Sequence, residues 1–172
     1  VGTARGGSAI FFASLLRLTG GGRVISIDID VRPHNRDTVV RHPLGGAVEL
    51  IEGSSTDPAT FAKVKKRIGR SSPVLVSIDS LHTEAHVLAE LDLYSTLVGK
   101  GSYIVVFDTV LKKLPRSTYP TDHANRPWSQ RANPGTAVAK FLKKNRDFVA
   151  DAAIDSRILI SAAPGGYLKR VK

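Results

Sequence analysis

Two strand-terminal acids and one histidine are the residues best placed to do chemistry. Asp79-Ser-Leu-His82 closes the apolar run that begins at Val74, and Asp108-Thr109 closes the run that begins at Ser102. Carboxylates at the tips of neighbouring strands can share a hard divalent cation such as Mg²⁺, which takes a few carboxylates and keeps several waters. A hydroxyl or diol bound to such an ion loses its proton more readily. His82 lies at the start of the helix that follows Asp79 and is a candidate general base, because imidazole titrates near neutrality. Asp79 taken alone has a plainer reading as a helix cap. His86, one helical turn beyond His82, reads as a packing or surface histidine before it reads as a further ligand.

The chain opens on a second constellation, Val1-Gly-Thr-Ala-Arg-Gly-Gly-Ser-Ala9, which runs straight into the apolar helix Ile10-Phe-Phe-Ala-Ser-Leu-Leu-Arg-Leu18. Glycine lets the backbone approach a ligand closely, and a helix N-terminus offers N–H groups with no intrahelical partner. Gly2, Thr3, Gly6, Gly7 and Ser8 are the candidate cofactor contacts here. The spacing departs from the dinucleotide pattern G-x-G-x-x-G and fits the looser turn of enzymes that bind S-adenosylmethionine, which has no pyrophosphate to wrap. The following strand, Val24-Ile-Ser-Ile-Asp-Ile-Asp30, ends in acid. Asp28 is favoured for a ribose diol, with Asp30 turned to Arg32 or solvent. Ser54 or Ser55 is a candidate for the adenine end, and Asp79 is counted among the cofactor contacts as well as the metal ligands.

The elements that must position these groups alternate along the chain. Helices are expected at about 8–19, 37–42, 58–68, 84–97 and 134–145. Strands are expected at 23–30, 48–52, 74–79, 102–108, 148–153 and 157–162, the last two joined by a tight turn near Asp155-Ser156, with a continuation at 167–171. Strand–helix alternation ending in a hairpin predicts an α/β, Rossmann-like three-layer sandwich, its sheet mostly parallel with one antiparallel strand near the edge. Ligands of such sheets gather at the carboxyl ends of the parallel strands. Those ends carry Gly2–Ser8, Asp28–Asp30, Gly53–Ser55, Asp79–His82 and Asp108-Thr109. Residues 109–133 contain prolines and no apolar period, and a loop of that length is usually functional. It is expected to be a substrate lid, with Trp128 available to stack on a ring.

A chain of 172 residues predicts one domain, here 1–172. The glycine turn of this fold ordinarily follows a central strand. None precedes Val1, and the sequence contains no Met, so the N-terminal strand is expected to be missing. With no cysteine there are no disulfides or thiolate metal sites. No apolar run nears the ~20 residues that span a bilayer. The cytoplasm is the default, and no membrane association is expected. The net charge of +10 is dispersed along the chain, and aromatic residues make up only 6%. No basic–aromatic interleaving suggests a base-stacking platform, so nucleic acid is not an expected partner.

Several longer motifs occur in order: Gly2-x3-Arg5-Gly-Gly-Ser8, Ile27-Asp-Ile-Asp-Val-Arg-Pro-His-Asn35, Ile51-Glu-Gly-Ser-Ser55, Asp79-Ser-x-His-Thr83 with His86-Val-Leu-Ala-Glu-Leu91, Arg126-Pro-Trp128 and Asn133-Pro134. Together they resemble the cephalosporin hydroxylase family, also described as rhamnosyl O-methyltransferases and related to the macrolide sugar O-methyltransferases. The resemblance implies a class I methyltransferase fold, S-adenosylmethionine as donor, Mg²⁺ as cofactor and a small-molecule acceptor, the hydroxyl of a sugar or secondary metabolite. It also implies that Asp79 and Asp108 are metal ligands and His82 the base. Relatives form oligomers, which leaves a homo-oligomer open. The family's Glu-Asp-Thr is here Phe107-Asp108-Thr109, and its Asp-Ser-Asn-His is Asp79-Ser-Leu81-His82. These two departures define the alternative, a noncatalytic relative that binds cofactor with a degraded metal site. An NAD-dependent enzyme is disfavoured by the glycine spacing.

Overall fold

Local sequence sets most of the helix boundaries. Asp57 caps a helix whose first residue is Pro58, its carboxylate accepting from the Thr60 N–H at 2.9 Å. Asn133 and Thr136 form a reciprocal capping box ahead of Pro134. Both arrangements satisfy N–H groups that a helix start leaves open, and proline at the first position has no N–H to lose. Gly20, Gly21 and Gly22 stop the first helix with φ of 107°, 103° and 138°, values that side-chain-bearing residues rarely adopt.

The computed structural model describes residues 1–69, 73–115, 117 and 129–172. They fall into two compact units, divided at Gly69/Arg70. The first contains α1 (Gly7–Leu18), β1 (Val24–Asp28), α2 (Pro33–Arg41), β2 (Val48–Glu52) and α3 (Pro58–Ile68). β1 and β2 are parallel and in register from Val24↔Val48 to Asp28↔Glu52. Ile27, Ile51, Ala9, Ala13, Val39 and Val64 are buried in this unit.

The second unit contains β3 (Val76–Ile78), α4 (Glu84–Tyr94), β4 (Tyr103–Val106), α5 (Pro134–Lys144), β5 (Phe148–Ala150), α6 (Ala152–Ile158) and β6 (Tyr167–Arg170), with a 3₁₀ turn at Thr109–Lys113. The sheet order is β3-β4-β6-β5. β3 and β4 are parallel, while β6 runs antiparallel to both β4 and β5. One antiparallel strand near the edge is expected, and β6 supplies it from the segment expected only to continue residues 157–162. Val87, Leu91, Val98, Ile104, Val106, Phe141 and Leu168 are buried here. The rings of Phe141 on α5 and Phe148 on β5 lie 5.6 Å apart.

Two elements differ most from expectation. Residues 157–162 are not a strand: α6 occupies Ala152–Ile158 and β5 pairs instead with β6. The Asp151 carboxylate accepts from the Ala153 N–H at 3.1 Å, and this cap ahead of two alanines starts a helix that runs to Ile158, beyond which Leu159 has φ of 65°. The apolar run Ile158-Leu-Ile160 is left exposed. β6 is admitted beside β4 because Gly166 is small. Its N–H bonds Ala163, and its carbonyl receives the Val106 N–H at 2.9 Å; a Cβ at Gly166 would stand 2.3 Å from the Val106 oxygen. The other difference is α2, which begins at Pro33 rather than near Asp37, with proline again opening the helix.

Candidate functional site

In the first unit the glycine-rich turn is tied to β1 by hydrogen bonds. Gly2 N–H donates to the Ile27 carbonyl at 2.8 Å, and Gly6 N–H closes the turn on the Thr3 carbonyl at 2.7 Å. The buried Thr3 hydroxyl pairs with that of Ser26 at 2.8 Å. Gly6 has φ of 82°, and a Cβ there would fall 2.2 Å from a methyl of Val39. The turn therefore requires glycine at that place on two independent grounds. Gly7 makes no such demand, since nothing lies within 4 Å of a Cβ built on it. Gly7 and Ser8 form the exposed start of α1.

Asp28 does more here than the sequence suggests. Its Oδ2 accepts both the Thr3 N–H at 2.9 Å and the Ala4 N–H at 2.8 Å. Its Oδ1 is more lightly used, receiving the Asp30 N–H at 3.3 Å. One carboxylate thus folds the turn with one oxygen and keeps capacity on the other. Asp30 pairs with Arg32 at 3.4 Å in an exposed position. The carboxyl ends of β1 and β2 meet through the Gly53 N–H, which donates to the Asp28 carbonyl at 2.8 Å. This bond brings Ser54 and Ser55 beside the tip of β1. Ser55 is buried, and the Ser54 hydroxyl lies 3.1 Å from that of Thr56.

In the second unit the three residues singled out for chemistry converge. His82 Nε2 lies 3.2 Å from Asp79 Oδ1 and 3.4 Å from Asp108 Oδ2. Among the described residues these three form a cluster whose ligand atoms all lie within 4.8 Å of one another. The Phe107 N–H donates to the Ile78 carbonyl at 2.9 Å, which holds the two strand tips together. Asp108 adopts left-handed backbone, φ 54° and ψ 22°, which Asp tolerates better than most residues. Thr83 caps α4 through the His86 N–H.

The imidazole of His82 is held protonated to higher pH than an ordinary histidine. The hydrogen bond with Asp79 is the main cause; burial opposes it, and the negative charge of Asp108 adds to it. Two carboxylate oxygens and one imidazole nitrogen suit a divalent cation that keeps water in its remaining positions. Phe107 adds no oxygen to that set.

The sequence reading missed Glu90, which is fully buried on α4. Its carboxylate receives the Ser80 hydroxyl at 2.8 and 2.7 Å, and His86 Nε2 lies 3.3 Å from Oε1. His86 thus belongs to this pairing and not to the three-residue cluster. The visible signal was the helical spacing of His86 and Glu90 with a serine next to Asp79. Of the expected lid, Lys112 and Lys113 are exposed on the 3₁₀ turn after Asp108. Arg126 and Trp128 lie outside the described residues.

The chain resembles known proteins in sequence and in fold. The "Rhamnosyl O-methyltransferase" of Mycobacterium leprae is 34% identical over 176 residues, which cover 98% of this chain and 69% of that protein. The protein of the same name from Mycobacterium tuberculosis H37Rv is 29% identical, and there the chain spans 64% of the relative's length. A solved structure, the MycE methyltransferase of the mycinamycin pathway in complex with Mg, SAH and mycinamycin VI, superposes with a TM-score of 0.56 at 16% identity. It covers 97% of this chain and 40% of that one. At that identity the likeness bears on fold alone, and it is consistent with the expected Rossmann-like α/β fold. The family model described as rhamnosyl O-methyltransferase/CmcI matches residues 1–171, and the chain belongs to that family.

Proposed function

We propose that the chain transfers a methyl group from S-adenosylmethionine to a hydroxyl of a sugar or glycosylated secondary metabolite, with Mg²⁺ held by Asp79 and Asp108. The observation that carries this reading is the meeting of His82 Nε2 with carboxylates from two separate strand tips. Family membership and the names of the relatives support it. The donor supplies an electrophilic sulfonium methyl, and the cation supplies positive charge that favours ionisation of the acceptor hydroxyl.

The remaining work falls to side chains and backbone of the protein. Gly7 and Ser8, at the exposed start of α1, would present helix-start N–H groups to the donor, while Gly2, Thr3 and Gly6, whose N–H groups are bonded within the turn and to β1, would shape the backbone it lies against; Asp28 Oδ1 would accept from its ribose. Ser54 and Ser55 stand at the adenine end. His82, once neutral, takes the acceptor's proton, a contribution worth about 10²–10⁴-fold in rate. The contacts of Nε2 with Asp79 and Asp108 keep the imidazole at the strand tips where the cation would sit. We read the setting as cytoplasmic, with a small-molecule acceptor and neither nucleic acid nor membrane as partner. No described helix is long and apolar enough to cross a membrane.

The test is transfer of a labelled methyl group to a panel of rhamnosides and macrolide glycosides, with Mg²⁺ and with EDTA. Mg²⁺-dependent labelling lost in Asp108→Ala supports the proposal. Donor binding by calorimetry without transfer to any acceptor would favour the noncatalytic relative that Phe107 suggests. No donor binding would overturn the methyltransferase reading.

A further inference from the structure

Asp79 and His82 stand on the short connection between β3 and α4, whose internal hydrogen bond runs from the Thr83 N–H to the Leu81 carbonyl at 2.9 Å. Such a segment keeps two side chains in a fixed relation only if something outside it holds the backbone. Thr83, as the cap of α4, anchors the far end. At the near end the anchor is Ser80, the residue next to Asp79. Its hydroxyl is shared between both oxygens of Glu90, at 2.8 and 2.7 Å.

Glu90 is an expensive choice for that task. It is 0% exposed, and a carboxylate removed from water is costly unless hydrogen bonds replace its hydration. An apolar side chain would fill the same place on α4 without that cost. What it could not do is receive the Ser80 hydroxyl. Among the described residues the Glu90 carboxylate meets Ser80 on the connection and His86 on its own helix, so one of its bonds ties α4 to the segment that carries Asp79 and His82.

We propose that Glu90 is a positioning residue: by holding Ser80 it fixes the Asp79–His82 segment on α4 and thereby sets the affinity of the Asp79–Asp108 site for a divalent cation. This inference rests on the metal-binding reading of Asp79 and Asp108. Groups that orient metal ligands from behind typically carry 10–100-fold of the affinity.

The probe is Mn²⁺, whose free-ion paramagnetic resonance signal falls on binding, titrated into the metal-free full chain. The proteins are the unsubstituted chain, Ser80→Ala, Ser80→Thr, Glu90→Gln and the Ser80→Ala/Glu90→Gln double variant. Thermal denaturation and binding of S-adenosylhomocysteine are followed alongside. The expected result is a loss of about 10-fold in Mn²⁺ affinity for Ser80→Ala, a smaller loss for Glu90→Gln, whose amide oxygen can still accept the Ser80 hydroxyl, and retention in Ser80→Thr, which keeps the hydroxyl. The double variant should lose no more than the worse single one, because both act through one bond. If Glu90→Gln fails to fold, the Ser80 pair carries the test. Unchanged Mn²⁺ affinity in Ser80→Ala, whatever its melting temperature, overturns the inference, as do losses that multiply in the double variant. Absence of Mn²⁺ binding by the unsubstituted chain overturns the metal reading first, and this inference with it.

Discussion

Asp28→Ala separates two tasks that the structure assigns to one carboxylate. Asp28 Oδ2 accepts from the Thr3 and Ala4 N–H groups, and the free capacity of Oδ1 is proposed for the ribose. Truncation removes both bonds. Ala4 is exposed, so water replaces most of what its N–H loses. Thr3 is only 3% exposed, so its N–H is left buried and unpaired. A buried donor without a partner costs about 1–3 kcal/mol, and a re-solvated charge-assisted bond adds a smaller amount, which places Asp28→Ala at about 2–4 kcal/mol. Asp28→Asn keeps one acceptor oxygen and should cost about 1 kcal/mol. The assay is amide hydrogen exchange at Thr3 and Ala4, read with urea denaturation and S-adenosylhomocysteine binding. Asp28→Ala should release protection at Thr3, lower stability and abolish binding together. Loss of binding with Thr3 protection and stability unchanged would refute the scaffold role and leave Asp28 as a ribose contact alone.

Three further outcomes follow from the same geometry. In the metal-free protein His82 should titrate above its ordinary value of 6.5, since the bond to Asp79 is the largest influence on it, and Asp79→Asn should bring it down, as proton NMR would read. Because the folded value is raised, the stability His82 contributes is complete below about pH 6.5 and is lost as pH rises through the folded value; a difference between wild type and His82→Gln that grew with pH would contradict this. Asp108→Asn tolerates the left-handed backbone at φ 54°, whereas Asp108→Val should lose a further 1–2 kcal/mol or so. Both should lose Mn²⁺, and equal melting temperatures for the two would show that the backbone conformation carries no cost. Gly166→Ala places a Cβ 2.3 Å from the Val106 oxygen and should destabilise the β4–β6 pairing by about 1–3 kcal/mol in chemical denaturation; a neutral result would mean the strand moves freely.

Much of the chain was legible from its residues because the controlling interactions are local. The caps at Asp57, Thr83 and Asn133 act within three residues, so their helices begin where the cap and proline pattern places them. The apolar runs that became β1 to β4 announce themselves without a partner. The convergence of Asp79, His82 and Asp108 could be anticipated once acidic strand tips were assigned to one sheet edge, because parallel strands bring their carboxyl ends together. Residues 157–162 failed for a related reason. Ile158-Leu-Ile160 has strand composition, but a cap and two alanines upstream start α6, which runs to Ile158, and Leu159 leaves it with left-handed φ of 65°.

The amino-acid sequence by itself determined the helix starts at Pro58, Glu84 and Pro134, the parallel strands and the chemical types gathered at their ends. The tertiary structure decided what each of those groups is bonded to. Asp28 became the anchor of a turn 24 and 25 residues away in sequence, and Glu90 the partner of Ser80 from inside a helix. β6 found its place between β4 and β5 through the single small residue Gly166. Caps and periodicity are properties of neighbouring residues. A buried carboxylate's partner and a strand's place in a sheet depend on which surfaces meet when the chain packs, and no short stretch of sequence contains that information.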